Sequence, residues 1–213
     1  MVDKGYAPAR LPKDRLLDLM RIVNVDSEII KELRHSGISK EMRSLESSDW
    51  MVLAEVDKKT AGASGVGGLF NFNHIQVIEK FQSKGIGVLL IREVINESRK
   101  RGYSFITGMI NPENKQSISL HNKLGYKTIF RIHYSPEIIQ DVIIFTFNRR
   151  GKIVKSFLGI FNNILGMSIL ACLLKIFKSI FPLIINYNEK IIPDANLTYI
   201  IKNFEKIQNH PIT

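Results

Sequence analysis

Gln82-Ser83-Lys84-Gly85-Ile86-Gly87 stands between an apolar run, His74 to Ile78, and a helix-like one, Val88 to Lys100. A strand that enters a glycine-rich turn and then a helix aims several backbone N–H groups in one direction, and the helix start adds partial positive charge. A pyrophosphate suits such a place. Glycine at 85 and 87 clears side chains from the approach, and Lys80 and Lys84 bring mobile cations. No Lys-Ser/Thr pair follows the second glycine, so a triphosphate-and-magnesium loop is disfavoured. Read alone, the same six residues also fit a plain strand-to-helix turn.

Few other side chains suggest chemistry. Glu79 and His74 flank the apolar run, and either can accept a proton directly or through water, Glu79 being the better placed; an exposed surface carboxylate is the plainer reading. His35, His133 and His210 have no ligand spacing, and a single cysteine, Cys172, rules out an internal disulfide framework and a cysteine zinc site, so no metal is expected.

The surrounding elements must hold the loop in place. Arg15 to Val25 reads as an amphipathic helix, with Leu16, Leu19, Met20 and Val23 at helical spacing, and a short helix is expected from Ser27 to Arg34, capped by Asp26 or Ser27 and closed at Gly37. Trp50 to Val56, a polar turn at 57–59 and a Gly-rich partner form a hairpin, and His74 to Ile78 is a third strand. After the loop, Ile86, Leu89, Leu90, Val94 and Ile95 line the inner side of a helix that ends at Gly102, and Tyr103 to Ile110 returns as a strand. Strand, helix, strand implies a parallel pair with a right-handed crossover. A short helix before Gly125 and two antiparallel strands, Tyr126 to Tyr134 and Asp141 to Phe147, complete an α/β or α+β fold with a mixed sheet.

Gln82 to Gly87 resembles the Q/R-x-x-G-x-G/A signature of the GNAT superfamily of N-acetyltransferases. Asn114 to Lys127 (NKQSISLHNKLGYK) is similar to that family's second signature, and Ala9 to Asp14 before a helix looks like its opening. The resemblance covers residues 5 to 148, and two signatures at the right separation are far more specific than either alone. It implies a mostly antiparallel central sheet with two splayed parallel strands, flanked by helices. It also implies acetyl-CoA as acyl donor and transfer to a primary amine, with an amino sugar or another small-molecule amine favoured as acceptor. The pyrophosphate contacts then fall on Gln82, Lys84, Gly85, Ile86, Gly87 and Val88. The pantetheine strand falls on Ile75 to Ile78, with Val77 and Ile78 nearest the thioester, and Asn114 and Ser117 match positions on the far side of the cofactor. Where the family usually carries a tyrosine proton donor, this chain has His121, which can donate when charged. The alternative is a non-catalytic acyl-CoA-binding or membrane-associated module that keeps the fold.

Residues 1–148 thus read as a GNAT-like domain and 149–213 as an apolar helical extension. Residues 156–174 carry no charge and reach the length at which a membrane span must be weighed, but Asn162 and Asn163 interrupt them. One amphipathic helix is expected, with Lys152, Lys155, Gly159, Asn162, Asn163 and Gly166 on one side and a second helix beginning near Lys175. Packing on the sheet, a homodimer interface and peripheral membrane contact through residues 152–185 all remain open. A last short helix is expected from about Asn196. Net charge of +10 favours an anionic partner, although the basic excess sits largely in the loop and the extension, which makes nucleic acid unlikely. The N-terminus lacks a signal-type apolar segment, so the reading is cytoplasmic, with membrane association open.

Overall fold

The computed structural model describes residues 20–38, 45–133 and 139–176. The chain starts its described part with strand β1 (Met20–Asn24), helix α1 (Ser27–Ser36), strands β2 (Trp50–Val56), β3 (Lys59–Gly67) and β4 (Phe72–Val77), and a 3₁₀ turn (Glu79–Phe81). Helix α2 (Ile86–Lys100), strand β5 (Phe105–Ile110), helix α3 (Lys115–Lys123) and strands β6 (Lys127–His133) and β7 (Ile139–Thr146) follow. Helices α4 (Arg149–Gly159) and α5 (Ile164–Ile176) close the described chain. The seven strands run in the order β1-β2-β3-β4-β5-β7-β6, mostly antiparallel, with β4 and β5 parallel. This is the mixed sheet flanked by helices that the sequence implies. Two compact units contain these elements: one takes the described residues up to Val66 and those of His74–Asn96, and the other takes Gly67–Asn73 and the described residues from Glu97 onward.

In the first unit, β1 pairs antiparallel with β2 from Met20↔Ala54 to Asn24↔Trp50. The helix expected over Arg15 to Val25 is therefore a strand from Met20 to Asn24, and its earlier residues lie outside the described chain. Spacing misled here because Val23, read as part of a helical stripe, packs from a strand onto the cluster of Ile29, Leu33, Leu45, Met51, Leu53 and Ala63. Pairing with β2 satisfies the backbone polar groups that a helix would have satisfied internally. Helix α1 is as expected: Asp26 caps it by accepting from the Glu28 and Ile29 amides at 2.9 Å, and Gly37 ends it at φ 90°. The β2–β3 hairpin turns through Asp57 and Lys58, both at positive φ, which matches the right-handed twist of the strands. Gly62 of β3 allows a close approach, since a Cβ there would lie 2.9 Å from the Gln76 carbonyl and 3.1 Å from Leu90 of α2.

In the second unit, β5 pairs with β7 from Phe105↔Thr146 to Ile110↔Asp141, and β7 pairs with β6, both antiparallel. Thr107 registers with Phe72 in the parallel pair, and its N–H donates to the Asn71 carbonyl at 3.2 Å. The core gathers Phe72, Ile129, Phe130, Ile132, Val142 and Ile144, and Leu158 of α4 joins them. Arg131 and Asp141, opposite each other on β6 and β7, form a buried two-pronged ion pair. Removing either partner leaves an uncompensated buried charge, at a cost of roughly 3–5 kcal/mol.

The extension also differs from expectation. Asn162 and Asn163 are not the polar side of one long helix, because the chain breaks between α4 and α5. The Asn163 side chain accepts from the Gly166 N–H at 2.9 Å and donates to the Ile160 carbonyl, so it ends one helix and starts the next. Lys175 lies within α5 instead of opening a second helix. Among the described residues, no helix is long and apolar enough to cross a membrane. The expected helix from about Asn196 and the residues joining the last two strands, 134–138, lie outside the described residues.

Candidate functional site

Strand β4 delivers the chain into the loop, and several hydrogen bonds shape the turn. The Ile78 N–H donates to the Ala61 carbonyl at 2.9 Å, which ties the strand end to β3. Phe81 N–H then donates to Ile78 O at 2.8 Å and Gln82 N–H to Glu79 O at 3.0 Å, closing the 3₁₀ turn. Gln82 also sends its Nε2 back to the Val77 carbonyl at 3.1 Å, so its side chain braces the loop against the end of β4. Ser83 and Gly85 both take the left-handed conformation, at φ 59° and 88°. Two reversals within three residues turn the chain directly into α2.

The first intrahelical bond of α2 runs from Leu89 N–H to Gly85 O at 3.2 Å. The amides of Ile86, Gly87 and Val88 consequently have no acceptor inside the helix, and no acidic residue occupies the first turn. A Cβ added to Gly87 would meet nothing closer than the Val77 Cγ2 at 3.8 Å, so the glycine leaves open space beside these amides. Phe81 supplies a feature that motif reading missed. The Lys80 and Lys84 ammonium groups lie 4.9 and 5.4 Å from its ring centroid, which gathers two cations beside the loop. The only sequence signal was an aromatic residue between the two lysines. Main-chain donors, a helix N-terminus and paired cations together fit a diphosphate group. Glu79 is exposed at the start of the 3₁₀ turn, and His74 is buried in β4.

The second signature builds a different kind of site. Asn114 caps α3 by accepting from the Ser117 N–H at 3.0 Å, and Gly125 ends that segment at φ 99°. One turn beyond Ser117, His121 points its Nδ1 at the Ser117 carbonyl, 2.8 Å away, with the Ser117 hydroxyl at 3.3 Å. A carbonyl can only accept, so Nδ1 carries the proton and Nε2 keeps the lone pair. His121 is 5% exposed. Burial pushes its pKa below the ordinary 6.5, with the Ser117 carbonyl pulling weakly the other way, so the neutral ring prevails at pH 7. Charged donation, expected at neutral pH, is opposed by this surrounding.

Tyr126 seals the other side. Its ring meets His121 edge-on at 5.0 Å, and its N–H donates to the His121 carbonyl at 3.0 Å. The phenol is fully buried and its hydroxyl has no partner among the described residues; burial drives its pKa far above the ordinary range. It remains a neutral packing residue. Among the described residues, no cluster of His, Cys, Asp or Glu could hold a metal ion.

The family model described as "FR47-like protein" matches residues 65–135, the segment from the end of β3 into β6. Among solved structures, an acetyltransferase of the GNAT family from Streptococcus pneumoniae is 15% identical, with 61% of this chain and 99% of that one covered at a TM-score of 0.50. The ribosomal-protein-S18-alanine N-acetyltransferase of Escherichia coli is 17% identical, covering 59% of this chain and 91% of its own at a TM-score of 0.48. YncA of Salmonella typhimurium, solved with its cofactor acetyl-CoA, is 18% identical, covering 61% and 95% at a TM-score of 0.47. At such identities the likeness is one of fold. The fold is the one seen in GNAT acetyltransferases, and the segment matched by the family model contains both the amide-lined loop and α3.

Proposed function

We propose that residues 1–148 form an acetyl-CoA-dependent N-acetyltransferase that acetylates a primary amine by direct transfer. The observation that carries this reading is the start of α2, where Ile86, Gly87 and Val88 offer amides without intrahelical acceptors beside two ring-bound lysines. That arrangement suits the donor's pyrophosphate. The β4 residues from Ile75 onward would run beside the pantetheine arm, with Asn114 and Ser117 toward the far side of the donor. The Ile78 N–H is already committed to Ala61, so Val77 becomes the candidate amide for polarising the thioester carbonyl.

In the reaction the amine nitrogen attacks the thioester carbon, the C–S bond breaks, and one proton passes from nitrogen to sulfur. A neutral His121 with Nδ1 tied to Ser117 is equipped to relay it: Nε2 takes the proton from the tetrahedral adduct and returns it to the departing thiolate. Glu79, exposed and ahead of the loop, is the candidate to deprotonate the incoming ammonium through water. A small amine such as an amino sugar is the proposed acceptor.

Isothermal titration with acetyl-CoA, followed by an amine screen reading thiol release, tests the proposal. Binding together with turnover on a small amine is the expected result. Failure to bind acetyl-CoA removes the reading, and binding without turnover on any amine reduces the protein to an acyl-CoA-binding module.

A further inference from the structure

Acetyl transfer leaves the outer faces of α4 and α5 unexplained. Helix α4 is seated on its own unit through Gly151, Val154 and Leu158. Its other side shows solvent a stripe of Ile153, Phe157 and Ile160, exposed by 61%, 60% and 58%. By helical spacing, Arg149 and Lys152 border that stripe on one side and Arg150 on the other, and all three are exposed. Helix α5 repeats the device with Leu165, Ile169, Leu173 and Ile176, also exposed along one face. Apolar rows of this extent, rimmed by charge, mark a binding surface.

Charge selects the occupant. From Val142 to Asn188 the chain has no Asp or Glu, while its cations are Arg149, Arg150, Lys152, Lys155, Lys175 and Lys178. Two copies meeting through this same face would set cation against cation, since neither segment has an acidic residue. The next residues, Phe177 to Ile185, contain Lys178 and otherwise mostly apolar side chains, so their sequence offers no neutralising charge either. An anionic bilayer answers both features, taking apolar side chains below the headgroups and cations among them. Neither helix is long enough to cross it, and the break at Asn163 gives two short helices that can lie flat.

We propose that α4 and α5 form a peripheral membrane-binding surface that rests on anionic lipid. Ile153, Phe157, Ile160, Leu165 and Ile169 enter the headgroup–acyl boundary, and Arg149, Arg150 and Lys152 pair with lipid phosphates. The surface is independent of acetyl transfer, so it can hold even if the catalytic reading fails.

Cosedimentation of the full chain with phosphatidylcholine vesicles, with and without about one-third phosphatidylglycerol, tests it. Binding is expected to the anionic vesicles and to weaken with salt. Exchanging Arg149, Arg150 and Lys152 together for Gln should lower it on the order of a hundredfold, at roughly fivefold per cation. All three are exposed, so folding is not at risk. Cys172, exposed on α5 and the chain's single cysteine, accepts an environment-sensitive fluorophore whose emission should shift blue on anionic vesicles. Equal sedimentation with both vesicle types, or an unshifted label, overturns the proposal. So does a concentration-dependent dimer that shifts the label without lipid, because the occupant is then a second copy.

Discussion

The loop at the start of α2 presents main-chain N–H groups and mobile cations, whereas α3 presents one imidazole, buried and fixed at Nδ1 by the Ser117 carbonyl. A backbone site needs a turn, glycines and a helix start, all of which leave a local pattern. A side-chain site depends on how deeply the folded chain buries the side chain, which no local pattern states. Hence the loop should tolerate changes that preserve amide direction but not changes that add negative charge. His121 should respond to pH and to loss of its neighbours.

Gly87→Asp attacks the loop most sharply. An aspartate in the first turn of α2 favours the helix dipole and has room there, so folding should hold, yet it opposes an incoming diphosphate. Acetyl-CoA affinity by titration calorimetry should fall on the order of a hundredfold while the melting temperature stays level or rises. Unchanged affinity would move the phosphate site away from α2.

Gly151→Ala probes the other unit by stability alone. A Cβ there would drive into the Ser104 carbonyl, a clash that backbone must relieve. A loss of about 2 kcal/mol in chemical denaturation is expected, as for overpacking. No loss would mean that α4 is not seated where Leu158 and Gly151 put it.

Acidification tests His121. Its folded pKa is depressed, so the unfolded chain binds the extra proton more readily: stability is full above the ordinary 6.5 and drains as pH falls through the folded value. Stability curves of the wild type and His121→Gln should converge on lowering the pH below about 6.5. The same substitution should remove the acid limb of the turnover profile, and an unaltered limb would take His121 out of the proton relay.

The smallest effect belongs to Tyr126→Phe. Its hydroxyl is buried without a partner among the described residues, so removing it should leave stability level or raise it by up to about 1 kcal/mol. A marked loss would reveal a partner for that hydroxyl.

Much of this protein was readable in advance. Asp26, Gly37, Gly102 and Gly125 announced helix ends by local chemistry, and the structure uses each in that way, while the cap that Asn114 forms on α3 was not among them. The hairpin from Trp50, the loop and both late strands likewise followed from alternation and turn residues. Met20 to Asn24 has a helical apolar spacing yet pairs with the distant strand β2, and the Asn162–Asn163 step reads as a polar helix face yet Asn163 caps α5 through Gly166, three residues on.

The sequence by itself determined the backbone devices, because capping residues and glycines act within a few positions of where they stand. It also determined the charge bias of the extension, which has no acidic residue from Val142 to Asn188. Only the tertiary structure decided which imidazole nitrogen of His121 holds the proton, that Phe81 gathers Lys80 and Lys84, and that Ile153 and Phe157 face outward while Leu158 faces in. The contacts of His121 with Ser117 and of Phe81 with its lysines join near neighbours but need the folded conformation to form, whereas pKa and exposure depend on burial by the rest of the chain.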